Sequence, residues 1–77
     1  MSIKVRYFAS LKERVGRSED NVTIAEPITA QELWRRCVPG LTPPEQILVA
    51  INLDYADWDS LVKEGDEVAF FPPVTGG

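Results

Sequence analysis

Two glycines, Gly76 and Gly77, follow a strand-like run and a proline pair, Val68-Ala69-Phe70-Phe71-Pro72-Pro73. Residues of these types in this order can deliver a chemical group. Glycine has no Cβ, so Gly76 and Gly77 fit a channel too narrow for any other residue and would set a bare carboxylate inside it. The expected reactive group is the C-terminal carboxylate of Gly77, with Gly76 behind it. Pro72 and Pro73 lack a backbone N–H and fix φ, which ends the strand and begins a stiff, extended exit. At about 3.3 Å per extended residue, residues 72–77 would span roughly 20 Å, deep enough to enter another protein's active site. Such a tail loses little conformational entropy until its last residues are gripped. The plain alternative is an idle terminus of small residues.

The remaining residues offer little with which to catalyse a reaction unaided. There is no histidine, which removes the commonest general base and the commonest transition-metal ligand together. Cys37 shares a helical face with Leu33 and Trp34, where a free cysteine is a small buried hydrophobe and its neutral thiol is inert. Asp54, Asp57 and Asp59 cluster near a turn, but their spacing lacks the glycine and terminal glutamate of a calcium loop, so no metal is expected. Gly16, Gly40 and Gly65 are isolated and form no phosphate-binding loop. Any nucleotide chemistry must come from a partner, and no bound cofactor is expected.

Seventy-seven residues make one domain, here 1–77, with 72–77 as its extended tail. A hydrophobic content of 44% is enough for a real core. Twelve acidic against eight basic side chains give a formal charge of −4, which argues against nucleic acid and allows steering toward a basic mouth on a protein. Arg35-Arg36 reads as a solvated helix face. A single thiol points to a reducing compartment. Neither a continuous apolar leader nor a run of membrane-spanning length is present, so a soluble cytoplasmic protein without membrane contact is expected.

The elements that must hold the tail read as follows. Ile3, Val5 and Tyr7 alternate with Lys4, Arg6 and Phe8, the period of a half-buried first strand. Ser10 is expected to cap a short helix over 11–15 that Gly16 stops, and residues 21–24 read as a second strand. Thr29 opens the main helix with Glu32 completing a capping box, and Ala30, Leu33, Trp34 and Cys37 line its apolar face. Pro39-Gly40 ends that helix, and Pro43-Pro44 belongs to the loop beyond. The apolar run 47–51 predicts a central strand, with Asp54 and Tyr55 in the turn after it and a short edge strand following. Leu61 and Val62 anchor a connection, residues 64–67 form a turn with solvated charges in which Gly65 supplies positive φ, and 68–71 is the last strand. This order fits an α+β fold of the β-grasp type, a mixed sheet packed against one main helix.

If Val5, Tyr7, Val68 and Phe70 face the core, strand alternation turns Phe8 and Phe71 outward. The first and last strands are neighbours in a β-grasp sheet, so the two rings would share an exposed face beside the root of the tail, with Tyr55 nearby. Exposed aromatic patches of this kind mark docking surfaces.

The segment from Gly65 to Gly77 closely resembles the C-terminal motif of the small subunit of molybdopterin synthase, the MoaD family, and Ile3-Lys4-Val5-Arg6-Tyr7-Phe8-Ala9 looks like that family's first strand. The resemblance spans essentially the whole chain. Thiamine sulfur carriers also end in two glycines but do not usually carry Phe-Phe-Pro-Pro. The resemblance implies a ubiquitin-like fold and a sulfur carrier that is no enzyme on its own. An adenylyltransferase of the ubiquitin-activating type (MoeB-like) would join AMP from ATP to Gly77, and a sulfur donor such as a cysteine desulfurase would displace it to leave a thiocarboxylate. A free α-carboxylate, with a pKa of about 3.5, is an anion at neutral pH and a poor electrophile, so it needs that leaving group first.

The MoaE-like large subunit would take the tail and supply the catalytic side chains. Two sulfurs would pass to cyclic pyranopterin monophosphate to form the dithiolene of molybdopterin, within a heterotetramer of two small and two large subunits. Phe8, Tyr55 and Phe71 match the family's partner contacts, and Pro72, Pro73, Val74 and Thr75 its inserted tail; Tyr55 stands where an aliphatic residue is common. Rival readings are a carrier for thiamine or tRNA thiolation, a ubiquitin-like modifier conjugated through Gly77, and an interaction module with an inert tail.

Overall fold

The computed structural model describes residues 2–40 and 47–73. Its first strand, β1 (Ile3–Tyr7), leads into helix α1 (Ala9–Val15) and strand β2 (Glu19–Val22). A two-residue strand β3 (Ile28–Thr29) precedes the main helix α2 (Ala30–Cys37). Strands β4 (Leu48–Ile51), β5 (Asp54–Ala56), β6 (Leu61–Val62) and β7 (Glu67–Phe71) follow. Five of them form a mixed sheet in the order β2-β1-β7-β4-β5, while β3 and β6 pair separately. The first and last strands run parallel and the other pairs antiparallel. This is the β-grasp arrangement, one sheet face curled around α2.

Alternation along β1 and β7 builds the core. Ile3, Val5, Tyr7, Val68 and Phe70 point inward and are buried, and Ala30, Leu33, Trp34 and Cys37 meet them from α2. Trp34 lies edge-on to Phe70 at 5.1 Å, and Trp58 stacks on the same ring at 5.5 Å. Geometries of this kind add to the area that aromatic rings bury. Thr29 caps α2 as its spacing requires, its hydroxyl accepting the Glu32 N–H at 3.1 Å. The Glu32 carboxylate turns instead to Arg36, at 3.3 Å.

Several expectations need correction. Ser10 does not cap α1: Ala9, at φ +55°, already swings the chain into the helix, so Phe8 occupies the cap position without a side-chain bond. Gly16 does end α1, at φ +89°, donating to the Lys12 carbonyl at 2.9 Å. The second strand begins two residues before residue 21. Strand β4 is interior but not central; β7 holds the centre, and β4 is buried on one face only. The turn after β4 is Asn52-Leu53, while Asp54 and Tyr55 belong to β5. Leu61 and Val62 are a short strand in their own right, paired with β3. Pro43 and Pro44 lie outside the described residues.

Cys37 sits with its thiol beside the Tyr7 hydroxyl, and burial pushes its pKa up. Tyr7 donates to Asp20 at 2.9 Å and is likewise pushed up, chiefly by burial and then by Cys37 and Asp20. Arg17 closes the group, donating to Asp20 and to the Cys37 carbonyl while lying 5.7 Å from the centre of the Tyr7 ring. This network ties β1, β2 and the end of α2 together.

Candidate functional site

The face of the sheet opposite α2 carries the site, and strand register explains its shape. Arg6 on β1 pairs with Ala69 on β7, Ala69 with Ala50 on β4, and Ala50 with Tyr55 on β5. This row crosses four strands with two alanines in its middle. Two adjacent residues that carry only a methyl group leave a trough between taller neighbours. Phe8, Ala9, Leu53, Glu67, Phe71, Pro72 and Pro73 complete the lining of a cleft of about 750 Å³.

The side chains around it are well exposed for their type. Tyr55 is 80% exposed and Phe8 43%, with the Tyr55 and Phe71 rings 6.0 Å apart. Arg6 and Glu67 form a half-exposed ion pair at 3.2 Å on one side, so the cleft's charges neutralise each other and its aromatic walls remain the attraction. Pro72 and Pro73 close one end, directly past the last residue of β7. The cleft therefore opens at the root of the segment leading to Gly77.

Phe8, Tyr55, Phe71, Pro72 and Pro73, chosen from alternation and motif, are thus brought together. Val74, Thr75, Gly76 and Gly77 lie outside the described residues. Sequence reasoning missed Leu53, which is 94% exposed at the tip of the β4–β5 hairpin and lines the same cleft. Its signal was available: an asparagine opening a two-residue gap between alternating strands marks a mirror-image hairpin turn. Asn52 and Leu53 take that turn, with φ of +53° and +72°.

Asp66 also departs from expectation. Read as a solvated turn charge, it is only 8% exposed, because its carboxylate accepts from the Lys63 N–H at 2.9 Å and the Asn52 amide at 3.0 Å. Burial alone would raise its pKa, but those two hydrogen bonds and the Lys63 charge outweigh it and hold the carboxyl below its ordinary value. Asn52 in turn accepts the Glu67 N–H at 3.0 Å, which fastens the hairpin tip to the start of β7. Gly65 supplies positive φ as expected, at +90°. Among the described residues no group of three or more His, Cys, Asp or Glu side chains is placed to hold a metal, and no helix is long and apolar enough to cross a membrane.

Fold and cleft define a small ubiquitin-like β-grasp domain whose outer sheet face is open beside the root of its C-terminal segment. The ThiS family model matches residues 5–77, and the chain belongs to that family. It is 38% identical over 80 residues to the molybdopterin synthase sulfur carrier subunit of Haemophilus influenzae, covering 97% of this chain and 99% of the relative. Its identity to the subunit of that name from Escherichia coli is 35% over 82 residues, with 97% and 99% covered. The crystal structure of SAMP1 from Haloferax volcanii shares its fold over the full length of both chains, at a TM-score of 0.79 and 27% identity.

Proposed function

We propose that this chain is the sulfur carrier of a molybdopterin synthase, with the Gly77 carboxylate as the group that is charged and discharged. The observation that carries this reading is the position of the cleft: Pro72 and Pro73 form its end, so a protein seated on Phe8, Tyr55 and Phe71 meets the root of the tail. Similarity along the whole length to molybdopterin synthase sulfur carrier subunits supports this reading. An adenylyltransferase activates Gly77 with ATP, and sulfur from a donor such as a desulfurase, reduced to the sulfide level by a thiol reductant, displaces AMP. The resulting thiocarboxylate passes its sulfur to cyclic pyranopterin monophosphate within the large subunit. That sulfur is a soft nucleophile made from a carboxylate that is inert until activated. The carrier contributes no catalytic side chain and no bound cofactor; the large subunit supplies the former, and the two subunits work in the cytoplasm as a heterotetramer.

Deleting Gly76 and Gly77 separates docking from chemistry. The shortened chain is expected to bind the large subunit as the parent does, and to support no conversion of the pterin substrate. Retained conversion would refute the carrier role.

A further inference from the structure

Leu53 breaks two local preferences at once. It holds a left-handed backbone conformation that glycine or asparagine adopts with less strain, and it leaves an apolar side chain almost wholly in water. It gains no burial within the chain in return. Asn52, clamped between Asp66 and Glu67, fixes the tip, so Leu53 is held in place at the border of the cleft. Strain and exposed apolar surface that coincide on one residue beside a recognition face indicate a contact made outside the chain.

We propose that Leu53 is a specificity-determining residue for docking of the synthase large subunit, inserting into an apolar socket on that subunit as the tail is delivered. The inference rests on the sulfur-carrier reading above. Residues 74–77 reach about 13 Å beyond Pro73 when extended, so a protein that encloses Gly77 must press against the cleft's proline end. A body large enough to surround the tail also covers the sheet face beside it, where Leu53 extends the apolar border formed by Tyr55 and Phe71. The Arg6–Glu67 pair is already neutralised on this face, so the matching surface is an apolar ridge and socket and not a charged one.

The test compares L53N with L61N by titrating each variant and the parent into the purified large subunit. Asparagine suits the left-handed position, and Leu61 is a control exposed by 66% on β6, outside the cleft. Losing the burial of one leucine side chain is expected to weaken L53N binding by at least about tenfold, with a melting temperature equal to or above the parent's. L61N should bind as the parent does. Unchanged affinity in L53N, equal weakening in L61N, or a lowered melting temperature in L53N would each overturn the proposal. A parent that forms a Gly77 thiocarboxylate yet fails to bind the large subunit would instead refute the carrier reading's choice of acceptor, and this inference with it.

Discussion

Asp66 shows how a single side chain ties the site to the stability of the fold. Its carboxylate takes hydrogen bonds from Lys63 and Asn52, and its pKa is held below the ordinary value. A group depressed in the folded state stabilises the protein above its unfolded pKa, near 4, and that stabilisation is lost as pH falls through the lower folded value. Melting temperatures measured from neutral pH downward should therefore drop below about pH 4 in the parent, and D66N should flatten that part of the curve while starting lower at neutral pH. An unchanged acid limb in D66N would remove Asp66 from the account. The sequence hid this residue because its partner Asn52 lies on another hairpin, and a run of Glu64, Asp66 and Glu67 around a glycine looks solvated in isolation. Leu53 was missed for a related reason: the turn was placed at Asp54 and Tyr55, two residues late, which left Asn52 and Leu53 unassigned between strand and turn.

At the scale of elements, strongly periodic segments were legible and short or contextual ones were not. The face of α2 and the alternation of β1 and β7 follow from local spacing, and so does the outward turn of Phe8 and Phe71. The pairing of β3 with β6 depends on contacts between distant two-residue strands, which no local pattern announces. The run 47–51 read as a central strand because it is apolar throughout, but Leu48 is exposed and Ala50 lines the cleft on the outer face. The cap at Thr29 was legible through its Glu32 partner, though only the hydroxyl half of the box forms. Thr29→Ala should cost about 1 kcal/mol and lower the melting temperature of a domain this size by roughly 4–8 °C. Thermal melts that coincide with the parent would show that the cap is idle.

For the whole molecule, the sheet keeps one face for α2 and leaves the other open, with β7 in the centre of the sheet contributing to both. Val68 and Phe70 hold the core while Ala69 and Phe71 shape the cleft, so the strand that stabilises the fold also forms the site. Residue types and motif carry the expectation for the tail, but the cleft was not legible, since the alanine row exists only once four strands are in register. If Gly77 is the group that is charged, mass spectrometry of the intact chain should register the change. After incubation with ATP, the adenylyltransferase and a sulfur donor, replacement of one carboxylate oxygen by sulfur should add about 16 Da, and alkylation of the new sulfur should distinguish it from oxidation at Cys37 or Met1, which adds nearly the same mass. The added mass is expected to map to Gly77. An unmodified Gly77, with an activating system that charges another carrier in parallel, would contradict it.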